Sequence, residues 1–329
     1  MTSSIDPRAR QRALLVALLA AATHGCTSKW SPGTHNVTLA VGGLQRVFAL
    51  HVPWARCGYA CTAAPTARTP LVLNWHGCNA HYPLMDYQME VSRMNEVASD
   101  YGWTVITPLG SQSPVTGSWG WATGMGIDSI ECAAAAADDY AFADALLNFS
   151  ASELCVDPAH VFSAGFSTGA FMTYGLGCKR AARLAGLGAN AGAISHTEMR
   201  KCGAPGAGAP PIPVQSFHSL ADPTVPYNGT ALWGSQPQVD AMWRRRNGCD
   251  GSEPEQVTVQ TNGTRCVRTD CPGAPVETCT VLGLDHCWIG GRGGGFEECN
   301  AREGDVDATR HMFRFWSSIV ANSTRARAA

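Results

Sequence analysis

Residues 161–176 read VFSAGFSTGAFMTYGL: the apolar run Val161, Phe162, Ser163 and Ala164, then Gly165, Phe166, Ser167, Thr168 and Gly169, then a helix-compatible stretch over 170–176. Apolar run, glycine-framed serine and helical stretch together spell strand, sharp turn and helix. In a G-x-S-x-G turn the serine adopts a strained backbone geometry, and a side chain at either glycine would collide with the neighbouring strand or helix. Ser167 then stands above a sheet as a candidate nucleophile. In a chain with 35 glycines the bare pentapeptide is weak. Its flanking elements, together with its candidate partners farther along the chain, give it weight.

The rest of the chain keeps the same rhythm. Residues 36–41 and 44–52 are β-rich and separated by Gly42 and Gly43, the composition of a two-residue hairpin. Residues 71–75 form an uninterrupted apolar strand, 87–100 fit a helix, and 102–108 a second buried strand. A helix opened by two acids follows over 138–149, as the helix dipole prefers. Strands are expected at 184–194 and 213–218, with a helix at 236–247. Residues 257–260 and 265–268 flank Asn262 and Gly263 and read as a small hairpin excursion stapled by some of Cys266, Cys271 and Cys279. Residues 276–282 return to the main sheet, and the amphipathic pattern of 306–320 marks a core-packing helix. Alternating strands and helices predict an α/β fold, with a doubly wound, mostly parallel sheet that begins as an antiparallel N-terminal hairpin.

Composition narrows the function classes. The chain has 329 residues, 45% hydrophobic and 15% charged, with a formal net charge of -2. It is long enough for one large α/β domain, and no basic stripe favours nucleic acid. Arg8, Arg10 and Arg12 precede an apolar run over 13–22 in which Ala20 and Ala22 sit like a cleavage site. Residues 1–22 therefore read as a secretory signal peptide and 23–329 as a single catalytic domain. Ten apolar residues fall short of a membrane span, so no membrane insertion is expected. Fourteen cysteines point to disulfides in an oxidising compartment rather than to metal, since no C-x-x-C occurs. Sequons at Asn36, Asn148, Asn228, Asn262 and Asn322 point to a glycosylated, secreted, extracellular protein.

A serine hydroxyl near neutral pH needs a base to take its proton and a carboxylate to orient that base. Of the downstream histidines, His196 and His218 precede any acid-bearing turn and His311 lies in the last helix. His286, in a loop after the last expected strand, remains. Asp222 sits four residues past the strand 213–218 at a turn with Pro223 and is the expected acid, whereas the side chain of Asp285 would diverge from the adjoining imidazole. A tetrahedral intermediate also needs backbone donors. Thr168, directly after the nucleophile, and Cys78, in the turn after strand 71–75, are positioned to supply them. The glycine-rich 290–295 neither follows a strand nor opens a helix and carries no dinucleotide site.

Several co-linear segments carry a family resemblance: LVLNWHGC at 71–78, DDYAFADALL at 138–147, VDPAHVFSAGFSTGAFMTYGLGC at 156–178, HSLADPTVPYNG at 218–229, HCWIGG at 286–291 and DVDATRHMFRFW at 305–316. With these the chain resembles the secreted feruloyl esterase and polyhydroxybutyrate depolymerase group of the α/β-hydrolase superfamily. By motif, that group's nucleophile, acid and base fall on Ser167, Asp222 and His286, and its oxyanion donors on Cys78 and Thr168. The resemblance implies a serine carboxylesterase needing no cofactor or metal, acting on a feruloyl ester of cell-wall polysaccharide. Trp119, Trp121 and Trp288 are expected to form an aromatic substrate platform. Departures from the group's pattern are Ser219 in place of Gly, Leu284 and Asp285 in a usually Gly-rich approach to the base, and Ile289 in place of Pro. Cys287, beside the base, is expected to staple the base loop to another loop. Depolymerisation of polyhydroxybutyrate or an acetylxylan-type esterase activity are the near alternatives. More remote are a serine peptidase of the prolyl oligopeptidase kind and a non-catalytic binding protein on a hydrolase scaffold.

Overall fold

The computed structural model describes residues 28–54, 68–79, 84–124, 132, 137–204, 209–293 and 299–328. The expected signal peptide, residues 1–22, and Cys26, Cys57 and Cys61 lie outside them. In chain order the elements are β1 (Gly33–Val41), β2 (Leu44–Val52), β3 (Thr69–Trp75), α1 (Leu84–Ser92), α2 (Met94–Tyr101), β4 (Thr104–Pro108), β5 (Ser111–Gln112) and β6 (Trp119–Gly120). They continue with α3 (Asp139–Glu153), β7 (Val156–Phe166), α4 (Thr168–Arg180), β8 (Gly186–Asn190), α5 (His196–Cys202), β9 (Val214–Ser219), α6 (Gln236–Arg246), β10 (Glu255–Gln260), β11 (Thr264–Thr269), β12 (Val276–Val281) and α7 (Ala308–Ala328).

Ten strands form one sheet in the order β1-β2-β4-β3-β7-β8-β9-β12-β11-β10, and β5 pairs with β6 in a separate ribbon. The central pairs from β4 through β12 are parallel, and the N-terminal hairpin is antiparallel, with Val41 opposite Leu44. Its two-residue turn puts Gly42 at φ 58° and Gly43 at φ 81°, backbone that glycine adopts without steric cost. Side chains alternate across the central strands. In β3, Val72 packs with α2 and α7 residues Val97, Phe313 and Trp316, whereas Leu71 and Leu73 face Phe142, Leu146 and Leu176 of α3 and α4. The helices thus cover both faces of a mostly parallel sheet, as its burial requires.

Two expectations change. The hairpin at 257–268 is not an excursion: β11 pairs with β12, and β10 with β11, so it extends the main sheet. Cys266 and Cys279 lie opposite each other in that register and are bonded, while Cys271 pairs with Cys249. The helix expected at 87–100 is two helices, because Arg93 adopts a left-handed conformation, φ 52°. Its guanidinium is held by Glu96 at 2.5 Å and Asp307 at 3.3 Å, and the Ser92 hydroxyl accepts from Met94 N–H. These contacts stabilise a break that helical periodicity does not reveal.

Buried titratable groups give the fold an acid-side weakness. Burial lowers both His51 and His76 to about 4, for His51 with a further push from His35. Burial raises the Glu277 carboxyl, but hydrogen bonds from His311 at 2.9 Å, from Thr258 and from Gln215 at 2.6 Å outweigh it and hold it below its ordinary value. Between pH 6.5 and 4 the unfolded chain therefore binds protons at these histidines that the folded chain refuses, and stability falls with pH; Glu277 extends the loss below that window. We expect calorimetry to show a Tm that is level near pH 7 to 8 and declines from 6.5 to 4, with a shallower decline in His51→Gln. A Tm constant across that interval would contradict the burial of these histidines.

Candidate active site

Ser167 joins β7 to α4 with φ 54° and ψ -122°. The turn is this tight because strand and helix nearly touch. A Cβ on Gly165 would lie 2.1 Å from the Gly169 carbonyl oxygen, and one on Gly169 would lie 2.2 Å from that of Trp75. Ser167 N–H donates to the Asn190 carbonyl at 3.0 Å. Beneath the turn, Trp75 Nε1–H donates to Ser163 Oγ at 2.9 Å. The serine borders a cleft of about 310 Å3 whose walls include Gly77, Cys78, Leu84, Tyr87, Phe166 and His286.

Asp222 lies in the turn after β9, 4% exposed. Its Oδ1 accepts from Thr224 and Val225 N–H, each at 2.9 Å, and its Oδ2 from His286 Nδ1–H at 2.7 Å. Burial raises the Asp222 carboxyl, but the His286 hydrogen bond and charge and the Val225 N–H together bring it below its ordinary value, so it is a carboxylate at neutral pH. Phe166 stacks on the imidazole with centroids 4.9 Å apart. With Nδ1 committed to Asp222, His286 Nε2 has no hydrogen-bond partner among the described residues. A carboxylate-oriented imidazole with a free Nε2, bordering the same cleft as a serine on a strained turn, is equipped to take a hydroxyl proton. Ser219, one of the departures, donates its hydroxyl to the main-chain carbonyl of Leu284, and so ties the end of β9 to the loop that carries His286. Asp285 is exposed and lines the cleft beside His286.

The loop after β3 is held from behind. Burial keeps His76 neutral, so its Nδ1–H donates to Gly77 O at 2.6 Å and its Nε2 accepts from Gly110 N–H at 2.9 Å. In a planar trans peptide the N–H points opposite to the C=O. Fixing the Gly77 carbonyl therefore fixes the direction of the Cys78 N–H. Thr168 N–H is the first of α4 and has no intrahelical partner. The side chain of Cys78 is bonded to Cys132.

The three tryptophans expected as a platform do not line the cleft. Trp121 is 0% exposed, donates from Nε1 to His76 O at 2.7 Å and packs edge-on against Trp75. Trp288 is 2% exposed and donates to Thr309 Oγ1 at 3.0 Å. Trp119 is half-buried in β6, and its main chain exchanges hydrogen bonds with Asn79 at 2.9 and 3.2 Å. The indole donors of Trp121 and Trp288 brace buried groups, and the apolar cleft wall consists of Leu84, Tyr87 and Phe166 instead.

Two further supports carry no motif in the sequence. Arg46 of β2 pairs with Asp139 of α3 at 2.6 Å, both buried, and the second Asp139 oxygen accepts from Ala122 N–H at 2.6 Å, beside Trp121. Asn190, fully buried at the end of β8, is the other. With its amide nitrogen toward Cys287, the orientation in which both polar atoms meet complementary partners, it donates to Cys287 O at 3.2 Å and accepts from Ile289 N–H at 3.1 Å. One residue thus holds the serine by its carbonyl and the loop of His286 by its side chain. An asparagine inside an apolar strand carries a signal only in its cost of burial. Cys287 is stapled as expected, to Cys299 at the cleft. Cys266, Cys279 and His311 bring ligand atoms within 4.8 Å of one another, but the cysteines are bonded to each other and His311 to Glu277, so the trio offers no thiolate to a metal.

No family model matches the chain. Acetyl xylan esterase from Aspergillus awamori superposes with a TM-score of 0.53 at 18% identity, covering 77% of this chain and 94% of that one. This is the α/β-hydrolase fold. In sequence the chain is similar to feruloyl esterases: 27% identical over 234 residues to feruloyl esterase B of Piromyces equi, covering 66% of this chain and 39% of that protein. It is 32% identical over 136 residues to feruloyl esterase C of Emericella nidulans, covering 41% of this chain and 45% of that one. The matches thus span less than half the length of these curated relatives.

Removing the Asn190 side-chain amide leaves a buried carbonyl and N–H unpaired, a loss of about 1–3 kcal/mol for each group. Asn190→Leu is expected to lower Tm by several degrees and to slow labelling of Ser167 by a fluorophosphonate, while Asn190→Asp, which keeps only the acceptor, falls between. A leucine variant labelling at the parent rate would remove Asn190 from the support of the site.

Proposed function

We propose that the protein is a secreted serine carboxylesterase, with residues 1–22 as its signal peptide and the remainder as one catalytic domain, cleaving feruloyl esters of cell-wall polysaccharide. Ser167 Oγ attacks the ester carbonyl while His286 Nε2 takes its proton. Asp222 stabilises the imidazolium, and the N–H groups of Cys78 and Thr168 receive the oxyanion. Collapse of the tetrahedral intermediate returns the proton from His286 to the leaving alcohol and leaves a feruloyl-Ser167 ester. Water, activated by the same imidazole, then releases the acid. No step calls on a cofactor or metal.

The observation that carries this reading is the Asp222–His286 hydrogen bond of 2.7 Å, which leaves Nε2 unpaired beside the cleft that Ser167 borders. The apolar wall of Leu84, Tyr87 and Phe166 suits a flat aromatic acyl group, and similarity to feruloyl esterases supports the same substrate class. Five disulfides among the described residues and the exposure of Asn36, Asn148, Asn228, Asn262 and Asn322 support an extracellular setting. Among the described residues no helix is long and apolar enough to cross a membrane.

Initial rates on methyl ferulate, p-nitrophenyl acetate and a polyhydroxybutyrate suspension test the proposal. Methyl ferulate is expected to turn over, and Ser167→Ala to lose on the order of a million-fold in kcat. Clearing of the polymer without ferulate turnover would keep the chemistry and replace the substrate. Inactivity on all three, with no fluorophosphonate labelling of Ser167, would defeat the enzyme reading.

A further inference from the structure

Asp222 has a second histidine beside it. His218, 1% exposed, lies on β9 four residues before the acid, and its Nε2 is 3.6 Å from the same Oδ2 that receives His286. That nitrogen is 2.7 Å from Val225 O, and Nδ1 is 3.2 Å from the amide oxygen of Gln236 at the start of α6. The ring meets Tyr227 edge-on at 5.9 Å.

The partners decide the tautomer. Val225 O accepts only, so Nε2 carries the proton. Burial holds the ring neutral, against the pull of Val225 O and the Asp222 charge, so Nδ1 must accept. Turning over the Gln236 amide, whose Oε1 stands 3.2 Å from Nδ1 and whose buried Nε2 has no partner among the described residues, brings that nitrogen to Nδ1 as the donor. Val225 is also the residue whose N–H caps Asp222 Oδ1 at 2.9 Å. The His218 N–H therefore grips the far end of the turn whose near end bears the carboxylate, and the amide of Gln236 fixes the ring from behind.

From these contacts we infer that His218 is a positioning residue: its Nε2–H, held on Val225 O, locks the 222–225 turn, so that Asp222 presents Oδ2 to His286. This rests on the proposed roles of Asp222 and His286. Loss of the N–H leaves the Val225 carbonyl buried and unpaired and frees the turn, so the acid orients the base less often; Pro223 and Thr224 of this turn line the cleft, whereas its apolar wall of Leu84, Tyr87 and Phe166 lies on other elements. The cost falls on kcat rather than KM.

His218→Phe keeps the ring volume and removes the donor, whereas His218→Gln places an amide N–H where Nε2–H was. In folded protein the phenylalanine variant is expected to lose about ten- to a hundredfold in kcat on methyl ferulate with KM within about twofold, and the glutamine variant to recover most of it. A phenylalanine variant with parental kcat, or a glutamine variant no better than it, overturns the inference. Where the phenylalanine variant does not fold, glutamine is compared with His218→Asn, whose amide is too short to reach; equal kcat in the two again overturns it. The parent protein's ring 15N shifts supply a readout independent of turnover: a neutral Nε2–H ring at pH 7 is expected, and an Nδ1–H or doubly protonated ring defeats the inference. An unlabelled, inactive parent with that tautomer intact would instead count against the esterase reading.

Discussion

The distance between β7 and α4 governs everything above it. Because a single methyl at Gly165 or Gly169 would fall about 2 Å from a backbone oxygen, strand and helix can meet only through glycine. The serine between them is then driven to φ 54°. That backbone state costs on the order of 1–3 kcal/mol and persists because the surroundings over-determine it. Here the surroundings are the parallel neighbours β3 and β8, which supply Trp75 O and Asn190 O. The sheet's central strands therefore act as the mount for Ser167.

Around this mount the cleft is assembled from loops at the C-terminal ends of β3, β9 and β12, where open parallel sheets place their sites. Each loop is fastened twice. The loop after β3 has His76 and the bond from Cys78 to Cys132. The Asp222 turn has its own N–H caps and His218. The His286 loop has Asn190 and the bond from Cys287 to Cys299. The hydroxyl that Ser219 adds meets the main-chain carbonyl of Leu284 in the loop that carries His286.

Local patterns make much of this legible. The strand-turn-helix around Ser167, the Gly42–Gly43 hairpin and the Asp222 turn each announce themselves through backbone demands that only certain residues meet. The features that stay hidden depend on distant partners. The break at Arg93 is made by Glu96 and by Asp307, more than 200 residues away, and the two-residue strands β5 and β6 are too short to show a period. By type alone Trp119, Trp121 and Trp288 suggest a sugar- or ring-binding surface, but whether an indole faces solvent or a buried carbonyl is decided by tertiary packing. The continuation of the sheet through β11 and β10 hinges on strand order, which hairpin signals do not encode.

Cys78 illustrates a property of sites built from main chain. On the proposed reading its N–H faces the oxyanion, while its sulfur is bonded to Cys132. A residue whose chemical task falls to its backbone has its side chain at liberty, and here that side chain serves as an anchor. Donor and brace share one position, so the loop is immobilised at the very atom pair whose direction matters.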